Sequence, residues 1–171
     1  MSYTCYLSLG ANLGQREVSI IEAMRLLQAS EKIQLTAVSS LYETPPWGKL
    51  DQPAFINAAA AVKTELAPLE LLQICQSIEK QLGRQRHEHW GTRTIDVDML
   101  YIPGVTMDEE ALKLPHPYML QRSFVLVPLA EVAGDMVIAG KNVKEHMLAL
   151  GDRETILNVR PAQSVAEELK L

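Results

Sequence analysis

The sequence predicts an α+β fold, a ferredoxin-like sandwich of the split βαβ kind with an antiparallel sheet and a helical C-terminal extension. Three observations predict it. Runs of period two and runs of helical period follow one another as strand, helix, strand, strand, helix, strand. The 171 residues are 47% hydrophobic and 22% charged, a size and balance that suit one domain over residues 1–171 with a continuous core. No internal repeat or low-complexity tract breaks the pattern.

Tyr3 to Leu9 alternates as a strand and runs into the turn Gly10-Ala11-Asn12-Leu13-Gly14, after which Ile20, Met24 and Leu27 stand at helical spacing. Ile33 to Tyr42 reads as a second strand, stopped by Thr44-Pro45-Pro46-Trp47-Gly48. Phe55 to Lys63 is a third strand. Pro68 then opens a helix whose apolar face carries Leu72, Cys75, Ile78 and Leu82, and Gly83 ends it. Gly83 to Arg93, GRQRHEHWGTR, is a cationic loop without apolar period. Thr94 to Tyr101 alternates strictly, with Ile95, Val97 and Met99 on one face and Thr94, Asp96 and Asp98 on the other. Beyond Pro103-Gly104 come a Pro-His-Pro turn, short helical patterns and a last helix over Lys144 to Leu150. Residues 161–171, ending in the polar run Ala166 to Leu171, are expected to fray.

A net charge of −5 and a pI near 5.4 exclude a broad phosphate-neutralising face, so any anion site is local. Cys5 and Cys75 lie far apart in apolar segments with no CxxC pair, which predicts buried free thiols and a reducing, cytoplasmic setting. The opening residues MSYTCYLSLGAN do not read as a signal peptide, and no apolar run reaches membrane length, so export is not expected. Neither nucleic acid nor membrane is therefore expected as a partner; small-molecule substrates and a monomeric chain are the expectation.

The chemistry points to Asp96-Val97-Asp98. Period two sets both carboxylates on one face, roughly 6.5 Å apart along the strand. A bare DxD is more often a solvated strand face. Here, however, Arg84, Arg86 and Arg93 lie just upstream, with Gly83 and Gly91 to let their loop close. An acidic pair beside an arginine loop describes a metal–triphosphate site, and Mg²⁺ suits it because it takes one or two carboxylates together with phosphate oxygens and water. Phe55 and Asn57 share a face just after the Thr44–Gly48 loop and offer a ring and an amide to a flat heterocycle, although Phe55 reads equally well as core. His116, between two prolines, is either a phosphate donor or an inconsequential surface histidine. His87, Glu88 and His89 lack the spacing and third ligand of a zinc site. The turn after the first strand is neither G-x-G-x-x-G nor a Walker A.

Five blocks then carry a resemblance: SLGANLG, SSLYETPPWG, DQPAFINA, LGRQRHEHWGTRTIDVDML and LPHPYMLQRSFVLVPL, in this order over roughly residues 3 to 135. The chain resembles the 6-hydroxymethyl-7,8-dihydropterin pyrophosphokinases of folate synthesis. The resemblance implies transfer of the β,γ-diphosphoryl group of ATP to the pterin hydroxymethyl oxygen, with Asp96 and Asp98 as ligands of two Mg²⁺ ions. It implies that Arg84 and Arg93 clasp the triphosphate, that Gln76, Glu79, Arg86, His116 and Arg122 hold the nucleotide, and that Thr44, Pro45, Trp47 and Asn57 form the pterin's hydrogen-bonding wall between the rings of Phe55 and Phe124. His89, Thr92 and Pro117 depart from the family's usual residues. Two rivals are an RNA-binding module, which would carry aromatics rather than Asp96 and Asp98 on its central strand, and a domain that binds nucleotide without turnover.

Overall fold

The structure is a computed structural model that describes residues 1–45, 54–83 and 95–171. The elements, in chain order, are β1 (Tyr3–Ala11), α1 (Arg16–Ala29), β2 (Ile33–Val38), β3 (Leu41–Thr44), β4 (Phe55–Thr64), α2 (Pro68–Gln81), β5 (Asp96–Tyr101), β6 (Met107–Asp108), β7 (Lys113–Leu114), α3 (Ser123–Ala133), β8 (Val137–Ile138), β9 (Lys141–Asn142), α4 (Val143–Leu148), β10 (Leu157–Arg160) and α5 (Ala162–Leu169). The main sheet runs β10-β3-β4-β1-β5, with β2 also on β4, and every pairing is antiparallel. Strand β4 thus lies between β1 and the strands that follow α1, which is the split βαβ arrangement expected.

Period two divides the central strands between two cores. Cys5, Leu7, Leu9, Ala58, Ala60, Val62, Val97 and Met99 point to one face, where they meet Ile20, Met24 and Leu27 of α1 and Leu71, Cys75 and Ile78 of α2. Ala59 and Leu100 point to the other, where Val125, Leu126 and Leu129 of α3 cover them. Burial pushes both thiols up, that of Cys75 to about 12, so they stay protonated at neutral pH and fill space as small apolar groups, as expected. Pro68 opens α2, and the Glu70 carboxylate accepts the Ala67 N–H at 2.9 Å, while Gly83 follows the helix at φ 92°.

The long second strand is divided. Ser39 donates its N–H to the Ala59 carbonyl at 2.9 Å and its Oγ accepts the Ala59 N–H at 2.8 Å, so one residue takes both of Ala59's ladder positions. Ser40 turns instead to Glu131 of α3, which accepts its N–H at 2.7 Å and its hydroxyl at 2.9 Å. The expected fraying of residues 161–171 is also corrected. Residues 162–169 form α5, because Val165 and Leu169 repeat at helical spacing and are buried against α1 and β2. Glu168 binds Arg160 at 2.6 Å and Arg25 at 2.9 Å, and Gln28 donates to the Leu169 carbonyl at 2.8 Å. Among the described residues no helix is long and apolar enough to cross a membrane.

Candidate active site

The site is built on the α3 side of the sheet, across β4, β1 and β5. Cross-strand register sets two rows there: Asn57, Gly10 and Asp96 form one, and Ala59, Ser8 and Asp98 form the next. Directly opposed residues on an antiparallel pair project to the same face. Gly10 and Ser8 on the middle strand and Ala59 on β4 are all small, so the floor is low between the acidic edge and the Asn57 amide. A Cβ on Gly10 would sit 2.8 Å from Asn57 Oδ1. Glycine is therefore what lets the Asn57 amide lie over β1.

A cavity of about 250 Å³ opens over this floor. It gathers Thr44, Pro45, Phe55, Asn57, Asp96, Asp98, His116, Arg122 and Phe124 from among the residues singled out in the sequence, together with Ser8, Gly10, Leu100 and Val125. Its walls divide by chemistry. On the β3–β4 side, Asn57 is buried and its Nδ2 donates to Thr44 Oγ1 at 2.7 Å. That bond fixes the amide orientation and leaves donor and acceptor capacity for a ligand. Phe55 pairs with Thr44 across the strands, while Phe124 comes from the first turn of α3. These are the chain's two phenylalanines, and both line this cavity. For Phe55 this favours a ring facing a ligand over a ring used only as core.

On the opposite side, Asp96 is half-buried and Asp98 exposed. At the far end Arg122 lies over two rings, its Cζ 5.3 Å from the Tyr118 centroid and 5.6 Å from that of Phe124, so its charge is held by cation–π contact beside the cavity. His116 is anchored by its N–H to the Leu100 carbonyl at 2.8 Å, and its Nδ1 accepts the Tyr118 N–H at 3.3 Å. An accepting Nδ1 leaves the ring proton on Nε2. Burial, and secondly the Arg122 charge, hold the imidazole below its ordinary pKa of 6.5, so at neutral pH it is an uncharged donor.

Two expected nucleotide residues lie elsewhere. Gln76 and Glu79 border a groove on α2 with Gln73, Ser77 and Lys80. Gln76 is exposed, whereas Glu79 is buried and accepts the Val97 N–H at 2.8 Å, fixing the strand between Asp96 and Asp98. Trp47, Arg84, Arg86 and Arg93 lie outside the described residues, as do His87, Glu88, His89 and Thr92. Ser8, Gly10 and Tyr118 were not picked out from the sequence. Alternation in β1 puts Ser8 on the face opposite Leu7 and Leu9, a usable signal for it, whereas Gly10 reads from the sequence as the start of a turn. Tyr118 carried none, because its position over Arg122 depends on the turn that follows His116.

The profile of the 7,8-dihydro-6-hydroxymethylpterin-pyrophosphokinase (HPPK) family matches residues 6–134. The chain belongs to this family. HPPK relatives named 2-amino-4-hydroxy-6-hydroxymethyldihydropteridine pyrophosphokinase include one from Methylorubrum extorquens, 48% identical over 145 residues (85% of this chain, 92% of that protein). Another, from Bacillus subtilis, is 46% identical over 132 residues (77% and 79%). Among solved structures, a Plasmodium falciparum HPPK-DHPS aligns with TM-score 0.69 at 16% identity, over 87% of this chain and 42% of that one. A second HPPK-DHPS structure aligns with TM-score 0.72 at 13% identity, over 90% and 46%. This chain thus spans less than half of those solved chains, and the likeness to them is one of fold.

Proposed function

We propose that this cavity transfers the diphosphoryl group of ATP to the hydroxymethyl group of 6-hydroxymethyl-7,8-dihydropterin, a step of folate biosynthesis that releases AMP and the pterin diphosphate. One observation carries the reading: in a chain of the HPPK family, a single cavity joins an acidic pair to an amide-and-phenylalanine wall. The pterin lies between Phe55 and Phe124, and its donor and acceptor edge meets Asn57, Thr44 and the backbone at Pro45 and Trp47. The triphosphate lies toward Asp96, Asp98, His116 and Arg122, with Arg84, Arg86 and Arg93 contributing from the cationic loop, while Gln76 on α2 holds the nucleotide from outside this cavity. Glu79 acts through the strand, holding Val97 so that both carboxylates keep their spacing.

The donor set fits a magnesium site. Two carboxylates on one face, with only Ser8 and Gly10 opposite them on β1, provide hard oxygens and room for phosphate oxygens and water. Two Mg²⁺ ions on Asp96 and Asp98 would neutralise phosphate charge and lower the pKa of the attacking hydroxyl. The residues themselves supply position. The pterin wall aims the hydroxymethyl oxygen at the β-phosphorus, a new O–P bond forms there, the bond from that phosphorus to the α-phosphate oxygen breaks, and the hydroxyl proton leaves to solvent. His116 donates its Nε2–H and Arg122 its guanidinium N–H groups to phosphate oxygens, balancing charge without entering a covalent step.

The test is the product formed from ATP and Mg²⁺ with and without 6-hydroxymethyl-7,8-dihydropterin. Pterin-dependent AMP is expected. ADP, or AMP released at the same rate without pterin, overturns the reading. Mg²⁺-independent binding of RNA with no turnover of ATP would favour the nucleic-acid alternative.

A further inference from the structure

Arg16 stands at the first position of α1, where a cation opposes the positive end of the helix dipole. It does not line the cavity. Its half-buried guanidinium reaches across the back of the sheet instead. Nη1 donates to the Ala54 carbonyl at 2.6 Å, and Nη2 donates to Glu43 Oε2 at 3.4 Å. Each partner immediately precedes a residue of the pterin wall: Glu43 precedes Thr44, and Ala54 precedes Phe55. Thr44 and Phe55 are the last cross-strand pair of the β3–β4 ladder. Among the described residues the wall therefore sits on the outermost rung of that ladder.

Alternation along β3 puts Glu43 on the α1 side and Tyr42 and Thr44 on the cavity side. Tyr42 bears this out, since its hydroxyl donates to Glu131 of α3 at 2.8 Å. Arg16 thus acts from behind on a wall whose front faces the substrate. A guanidinium suits the task because its fixed fork can serve a backbone carbonyl and a carboxylate at once.

We propose that Arg16 is a positioning residue for the pterin half of the site, clamping the ends of β3 and β4 so that Thr44, Phe55 and Asn57 hold the spacing the heterocycle requires. This rests on the assignment of that wall to the pterin. The acidic side of the cavity is carried by β5 and fixed by Glu79, so the clamp governs pterin affinity and leaves the nucleotide side unchanged.

The experiment compares wild type, Arg16→Met, Arg16→Lys and Glu43→Gln in pterin-dependent AMP release, with each substrate varied in turn, alongside thermal unfolding. Wild-type turnover establishes the underlying reaction independently of the clamp. Arg16→Met keeps the stem's apolar bulk and removes both donors; it should raise the KM for the pterin about tenfold and change that for ATP less than about twofold. Arg16→Lys, which can serve one acceptor, should recover part of the loss. Glu43→Gln keeps the Ala54 bond and should raise the pterin KM about twofold, as expected for a partly exposed pair. A pterin KM unchanged in Arg16→Met, or KM values for both substrates rising in parallel with a falling Tm, overturns the proposal. Should Arg16→Met fail to fold, Arg16→Lys and Glu43→Gln decide by the same split between the two KM values.

Discussion

The same strands, β4, β1 and β5, present two unlike surfaces. Toward α1 and α2 they show Leu7, Leu9, Ala60, Val62, Val97 and Met99, all buried. Toward α3 they show Asn57, Ala59, Gly10, Ser8, Asp96 and Asp98. Neighbouring residues in the chain therefore answer to different demands, one to close packing and the next to a ligand. Period two separates the demands, so a change on one face can damage folding or chemistry without equal damage to the other.

That separation can be broken most severely at the acidic edge. Asp96→Ala or Asp98→Ala should lower pterin-dependent AMP release on the order of 10³-fold, about 4 kcal/mol in the barrier, while thermal unfolding shifts little because both side chains reach the cavity. Turnover within about tenfold of wild type would show that the acidic pair is not the phosphate-side anchor. The converse change is Leu7→Ala on the core face. It should cost about 3 kcal/mol of stability in denaturant unfolding with kcat retained per folded molecule, and a large fall in kcat at temperatures where the variant is folded would mean the two faces are coupled.

Gly10→Ala sharpens the comparison, since it lies within one strand yet touches the site's amide. The added Cβ would meet Asn57 Oδ1 and force the amide away from Thr44. About 2 kcal/mol is expected, read mainly as a raised pterin KM. A wild-type KM for the pterin would show that Asn57 has room to shift.

The smallest expected effect belongs to His116. Its native pKa is held down by burial and by Arg122, so the unfolded chain takes up a proton first as the pH falls. His116 should therefore contribute stability above the ordinary value of 6.5 that is lost progressively as pH falls through the range between the ordinary and native pKa values. An NMR titration of the ring should give a midpoint below that of a model imidazole. A midpoint at or above 6.5 contradicts the buried environment described here.

The fold was largely legible, because alternation in β1, β4 and β5 and helical spacing in α1 and α2 are strong local signals that tertiary packing reinforces. Less legible were features that depend on partners distant in sequence. Ser39 and Ser40 read as continuing strand because the bonds that divide it come from Ala59 and from Glu131. Residues 161–171 read as a fraying tail because Val165 and Leu169 are sparse, and the helix over 162–169 depends on a neighbouring surface. In the site, Asp96, Asp98, Asn57 and Phe55 stood out by type and spacing. Gly10 did not, because its role is to be small beside Asn57, a relation that only the cross-strand register reveals.

The bond from the Val97 N–H to Glu79 has a consequence apart from catalysis. Among the described residues strand β5 pairs in the sheet with β1 alone, and an outer strand with open donors can recruit a stray extended chain. The Glu79 carboxylate takes the donor that stands between the two aspartates. The stretch of sheet that carries the acidic pair is thereby guarded against self-association.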